Sequence, residues 1–435
     1  MNRHLKSFLD LQVPLALVLL IAAAALAADW YRQRQPARPS PAAAGEGTGT
    51  LEAAELARAA VPLCREEDRA AAVACYAPLL EMVAGAGGVG LGSATLREVL
   101  KQDPAMEGEA HMLSHRLGFA ALRAGRDPAL EFSRCTAEFH SGCHHGIIQA
   151  YFAAARQVTP RLVARACPTL TARAPTDWLK FQCLHGLGHG LAINLRYDVP
   201  AALALCDALS SDWERESCYG GTFMESSARL GAGHGGGHHA AGRHAHAAAP
   251  AGPAPTSLAA VHAGADQDVF APSRAGDPQY PCSVVAERYR GACYLLQTSV
   301  ILPLEGGDFA RAARDCGQAP ERYRAICFQS LGRDASGVAA AQDLQRIIRI
   351  CSSIGEPNAG WCFFGAAKDV AYRRPSLDDG VRLCRHVPGK PSRSRCYEAI
   401  GELAVSLIER TGRRAEFCRS VEADYRADCR RGARV

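Results

Sequence analysis

Aromatic residues make up only 7% of the 435-residue chain. Strands lean on aromatic and β-branched side chains, so this scarcity beside plentiful Ala and Leu argues against an all-β fold and for helix. Charge of one sign is also lacking. The formal net charge is +5, and Arg is scattered among Asp and Glu instead of forming a basic stripe, which sets nucleic acid aside as a partner. There is no C-x-x-C-H for covalent haem, no G-x-S-x-G nucleophile turn and no Walker loop. Gly186, Gly188 and Gly190 do not form a dinucleotide fingerprint, because no strand precedes them.

Cysteine, by contrast, is abundant. The 18 cysteines fall into nine sequential pairs: Cys64/Cys75, Cys135/Cys143, Cys167/Cys183, Cys206/Cys218, Cys282/Cys293, Cys316/Cys327, Cys351/Cys362, Cys384/Cys396 and Cys418/Cys429. Five of the nine enclose ten residues and two enclose eleven; Cys135/Cys143 encloses seven and Cys167/Cys183 fifteen. Ahead of them, Arg3 and Lys6 precede an apolar run from Val13 to Ala28, and Ala25-Leu26-Ala27 offers a small-x-small cleavage pattern. The run is long for a signal and short for a span, which needs about 20 residues. A cleaved signal and a retained anchor both fit, and the preceding basic residues favour the anchor. Paired cysteines behind such a segment point to disulfides in the periplasm or extracellular space.

From Cys282 the first cysteines of successive pairs lie 34, 35, 33 and 34 residues apart, the period of a two-helix repeat. Within each unit a first helix, such as 308–315 or 342–350, is expected to end at the first cysteine, and the second cysteine to open a second helix. Residues 128–135, 161–167 and 200–206 supply further first helices, with Pro128 and Pro200 at favoured starts. Between the paired cysteines an aromatic-Arg dipeptide recurs as Tyr289-Arg290, Tyr323-Arg324 and Tyr425-Arg426, and Trp213 takes the same offset. A cysteine-free repeat fits between Ala94 and Arg123, with Gly85 to Gly92 expected as a flexible break.

The expected fold is therefore all-α: a solenoid of antiparallel helix hairpins, stapled by disulfides. Residues 1–28 form the signal or anchor, which makes the membrane a partner, and 29–50 a tether rich in Pro, Ala and Gly. Residues 51–230 carry N-terminal repeats, 231–278 a His/Gly/Ala-rich linker, and 279–435 the C-terminal repeats. In period, and in the Cys135/Cys143 spacing, residues 51–435 resemble disulfide-bridged Sel1-like or tetratricopeptide-like repeat proteins. Most pairs here are spaced more widely, and the usual Gly-x-Gly signature is missing. The resemblance implies a binding scaffold with a protein partner on its concave face.

Histidine is regional. Two residues after the second cysteine stand His145 and His185, and His189 follows at the sixth position; Cys218 has Gly220 and Met224 there instead. In the cysteine-free repeat His111 and His115 show the same four-residue separation, with Glu109 at the expected cysteine position. Beyond Cys293 the corresponding residues are Leu295, Gln329, Phe364 and Glu398. Residues four apart share a helix face, and helices stacked about 8–10 Å apart let imidazoles of neighbouring repeats meet. His111, His115, His145, His185 and His189 are the candidate ligands, with His140, His144 and Glu225 as accessories. Glu109 and Glu138 are the other carboxylates nearby in sequence. Gly146, Gly186 and Gly221 follow at the third position and would permit close approach.

An all-imidazole set without thiolate suits Cu, Zn, Fe or Ni. The expected function is transition-metal binding by an exported, membrane-tethered repeat protein. Two alternatives stand beside it: an envelope scaffold whose histidines are incidental, and a metal store or chaperone built on His234, His238, His239, His244, His246 and His262.

Overall fold

The computed structural model describes residues 46–155, 157–231, 270–338, 343–372, 376–408 and 410–435. The anchor segment, most of the tether and the histidines between 232 and 269 lie outside these residues. Among the described residues there are twenty α-helices and no strand. They follow in pairs: α1 (Glu46–Cys64) and α2 (Arg69–Gly87); α3 (Val89–Gln102) and α4 (Ala110–Arg123); α5 (Pro128–Arg134) and α6 (Gly142–Ala153); α7 (Pro160–Leu170) and α8 (Asp177–Asn194); α9 (Val199–Cys206) and α10 (Asp212–Gly231). After an irregular stretch come α11 (Glu287–Tyr294) and α12 (Thr298–Leu304), then α13 (Phe309–Gly317) and α14 (Glu321–Val338), α15 (Leu344–Ser352) and α16 (Asn358–Tyr372), α17 (Leu377–His386) and α18 (Lys390–Leu407), α19 (Thr411–Ser420) and α20 (Arg426–Ala433).

Short-range chemistry sets the helix starts. Asp68, Asp127, Thr159, Thr176, Asp198, Asp308 and Asp343 each accept a first-turn N–H through the side chain, a cap of about 1 kcal/mol. Pro128, Pro160 and Pro200 occupy first-turn positions, where the missing N–H costs nothing.

All nine neighbouring cysteine pairs are bridged, with Cα–Cα separations from 5.3 to 5.8 Å and no free cysteine. At the two ends of the array, Cys75 is bonded to Cys64 and Cys429 to Cys418. The expectation that the second cysteine opens its helix holds at Cys143 in α6 but is corrected elsewhere. Cys75, Cys327 and Cys396 lie in the second turns of α2, α14 and α18, and Cys429 closes the first turn of α20. Each of these helices starts before its cysteine because much of the intervening chain is already helical. The side chains differ in burial too: Cys429 is fully buried, whereas Cys75 is only partly so, at the margin of the N-terminal core.

The early helix start places Tyr323 in the first turn of α14, where it is buried and stacks on Tyr294 at 4.8 Å. Trp213, at the same offset, is 40% exposed instead and carries Lys180 over its ring. Cys282 lies in a turn, not at a helix end.

The break expected at Gly85 to Gly92 is a tight corner. α2 runs to Gly87 and α3 begins at Val89, with Gly88 between them at φ +86°. The buried carboxylate of Glu131 accepts the Val89 N–H at 2.8 Å, and a Cβ on Gly88 would stand 2.8 Å from the same oxygen. Only glycine turns here without displacing that cap. α2 is the one described helix long and apolar enough to cross a membrane. Its Tyr76, Leu80 and Ala84 are buried among neighbouring helices.

The second helices pack in close couples whose contact is made by glycine. A Cβ on Gly118 of α4 would lie 2.2 Å from the Cys143 carbonyl, and one on Gly146 of α6 would lie 1.9 Å from the His115 carbonyl. The same reciprocal contact joins α8 and α10 through Gly188 and Gly221, α14 and α16 through Gly332 and Gly365, and α18 and α20 through Gly401 and Gly432. In the first helix of each couple the motif is C-x4-G, as in Cys183 to Gly188; in the second it is C-x2-G, as in Cys143 to Gly146 and Cys429 to Gly432. Leu113 to Gly118 fits the first motif with leucine for cysteine. Leu113, not Glu109, is thus the cysteine equivalent, and His115, not His111, matches His185.

The chain also returns on itself. Gln182 of α8 donates to the Tyr372 hydroxyl at the end of α16 at 2.6 Å, and Trp178 and Phe181 pack against that ring. The C-terminal helices therefore close over the face of α8 that bears His185.

Candidate metal centre

The α4–α6 couple faces His115 towards His145. Because Gly146 rests on the His115 carbonyl, the two backbones nearly touch and their side chains splay to the same side. His145 Nδ1 and His115 Nε2 stand 3.3 Å apart, and the ring of His111, one turn earlier on α4, lies 4.7 Å from His115 and 5.7 Å from His145. One nitrogen from each of His111, His115 and His145 can be chosen so that all three lie within 4.8 Å of one another.

A turn between α5 and α6 fixes the outer edge of this group. Phe139, His140 and Ser141 all adopt left-handed backbone conformations, with φ of 54°, 52° and 60°. Three such residues in a row cost of order 1 kcal/mol each, strain that persists only where the surroundings impose it. The turn brings the Phe139 carbonyl to His111, whose Nδ1 donates to it at 2.8 Å, and sets the His140 ring 6.2 Å from His111. With Nδ1–H committed, His111 presents Nε2 as a lone pair, the usual orientation of a metal-bound imidazole.

α8 extends the row. His189 stacks on His145 with ring centres 4.4 Å apart, and its Nε2 lies 3.2 Å from Nε2 of His185. Behind it, Nδ1 of His189 donates to Glu225 of α10 at 2.8 Å, and the Tyr197 hydroxyl donates to the other carboxylate oxygen at 3.3 Å. His185 lies flat against Phe181, 5.7 Å away. Gly220 stands across from His185, where a Cβ would lie 3.6 Å from Nδ1.

The five candidate ligands are thus drawn into one row, with His140 at its end and Glu225 behind it. His144 is not part of it. That ring points the other way, fully buried against Phe132, and neither nitrogen has a partner among the described residues. Glu109 is held by Arg69 at 3.6 Å and Glu138 is paired with Arg97, so neither carboxylate joins the row. The sequence reading missed Tyr197 and the Phe139 carbonyl. Both depend on left-handed turns, at Arg196-Tyr197 and at Phe139 to Ser141, that no glycine or Asn-Gly pair advertises.

Desolvation governs the protonation of these rings. Burial pushes His111 down to about 4 and His185 to about 3, from an ordinary value near 6.5. His145 is held well below its ordinary value by the same burial, with the neighbouring imidazoles of His189, His115, His111 and His185 acting in the same direction. These imidazoles are neutral at physiological pH, the form that binds a cation without first releasing a proton.

Nitrogen ligands of one tetrahedral ion with bonds of about 2.0–2.1 Å stand about 3.3–3.4 Å apart. The His115–His145 separation already matches this. A set of three imidazoles leaves a coordination position for water or a substrate oxygen, the layout of a Lewis-acid site. Compared with protein families, curated proteins and solved structures, the chain matches none.

Proposed function

We propose that the protein binds a transition metal ion through His111, His115 and His145, with Cu, Zn, Fe or Ni as the cofactor. The observation that carries this reading is the convergence of three imidazole nitrogens from two helices held in contact by Gly118 and Gly146. A scaffold with incidental histidines gives no reason to gather partly and fully buried imidazoles beside a strained turn. The metal reading does, because the ion offsets the desolvation and the strain together.

In the wider reading the chain is an exported helical-repeat solenoid, akin to Sel1-like or tetratricopeptide-like proteins and tethered by its first 28 residues. Nine disulfides support an oxidising compartment. The His-rich stretch then serves at most to gather ions.

The test is elemental analysis of protein made in an oxidising compartment, as wild type, as His115→Ala/His145→Ala, and with residues 231–265 deleted. The wild type and the deletion are expected to hold the same amount of metal, and the double variant one ion fewer per chain with helicity unchanged. Metal-free wild type, or metal that leaves with the deleted stretch alone, would overturn the reading.

A further inference from the structure

We infer that His185 and His189 hold a second metal ion beside the first, making the centre binuclear. The inference rests on the metal-binding reading above and adds a site to it.

The argument is one of hydrogen-bond direction. His189 gives its Nδ1 proton to the Glu225 carboxylate at 2.8 Å, which leaves Nε2 as a lone pair. The carboxylate is held in place from its other oxygen by the Tyr197 hydroxyl. His185 turns Nδ1 towards α10, 3.6 Å from where a Cβ on Gly220 would stand. A proton on that Nδ1 leaves Nε2 of His185 as a lone pair as well. Yet the two Nε2 atoms face each other at 3.2 Å. Two lone pairs at that distance repel unless a cation engages both.

A transition metal fits the gap. The 3.2 Å separation is close to the about 3.3–3.4 Å expected between two nitrogen ligands on one ion with bonds of about 2.0–2.1 Å. The group behind His189 fits the pattern: metal-bound histidines commonly donate their outer N–H to a carboxylate, as His189 does to Glu225. His145, stacked on His189 at 4.4 Å, links this pair to the first three ligands. Two imidazoles leave further coordination positions, and His185 keeps partial access to solvent beside Phe181 and Tyr372. Paired ions with open positions on one side are suited to clamping a single reacting oxygen.

The experiment counts zinc. Full-length, disulfide-intact protein is stripped of metal, loaded with Zn²⁺, dialysed against metal-free buffer and analysed, beside His185→Ala/His189→Ala. Two zinc ions per chain are expected in the wild type and one in the variant. One ion in both means that a proton, not a metal, relieves the His185–His189 contact, which overturns this inference and leaves the first site standing. Two in both places the second ion elsewhere and also overturns it; none in the wild type removes the first site too. Should circular dichroism show the double variant unfolded, Glu225→Gln replaces it. Its second zinc is then expected to bind about 10–100-fold more weakly in chelator competition, and unchanged affinity for both ions would contradict the proposal.

Discussion

At the scale of single residues, the row of imidazoles is explained by what stands behind each ring. The Phe139 carbonyl and the Glu225 carboxylate dictate which nitrogen of His111 and His189 faces inward. His144 shows the contrast. It adjoins His145 in sequence, yet it points into an apolar pocket where both nitrogens lack partners and burial pushes its pKa down to about 3. In the unfolded chain it titrates near 6.5, so between these values the unfolded state binds more protons and stability falls as pH falls. The metal-free protein should therefore lose denaturation midpoint from about pH 8 to about pH 5, and His144→Leu should lose less. Equal losses in both proteins would show that His144 adds nothing to the acid sensitivity. Four of the candidate ligands were legible in the sequence as histidines spaced by four, and His145 by its place two residues after Cys143. The register of the cysteine-free repeat was not: Leu113 fills the core as cysteine does elsewhere, so only the glycine at position 118 marks the alignment.

At the scale of elements, the repeated glycine contact decides how close neighbouring helices come, and thereby whether their histidines meet. Cysteine spacing and prolines such as Pro128 and Pro200 made many first helices readable, because both act within a few residues. Helix starts near Cys75 and Cys429 were placed too late, since a disulfide fixes where two chains meet and leaves open how many residues ahead of it are already helical. The coupling of helices in twos was harder to read, since C-x4-G and C-x2-G differ between alternate helices and acquire meaning only when laid side by side. Gly332→Ala puts a Cβ 1.8 Å from the Cys362 carbonyl, far from the histidines in sequence. It should cost about 1–3 kcal/mol by forcing α14 and α16 apart, measured by denaturant unfolding, with metal content unchanged. Gly146→Ala should impose a similar cost and also weaken metal binding, because it separates His115 from His145. If Gly146→Ala binds metal as the wild type does, the helix contact is not what positions the site.

For the whole molecule, nine short-range bridges staple the hairpins, and each closes a loop whose constraint on the unfolded chain is worth about 2.5–3 kcal/mol for the ten- and eleven-residue spacings. Pairing of sequential neighbours was suggested by their spacing behind the N-terminal apolar segment, whereas nothing suggested the return of Tyr372 onto Gln182. That contact joins residues 190 apart, and no local pattern encodes it. Thiol titration of the denatured protein should find none of the 18 cysteines free before reduction. Reduction should unfold the chain and release its metal together, since ligands on α4, α6 and α8 are positioned only by the packed helices. Release of metal without unfolding would show that the bridges position the ligands locally and not through the packed helices. The central claim, that imidazoles of neighbouring helices bind one ion, is tested most directly by X-ray absorption spectroscopy of the metal-loaded protein. The account predicts at least two imidazole nitrogens per metal at about 2.0–2.1 Å, with the outer-shell scattering of the rings. A shell made only of oxygen, or one containing sulfur, would contradict it.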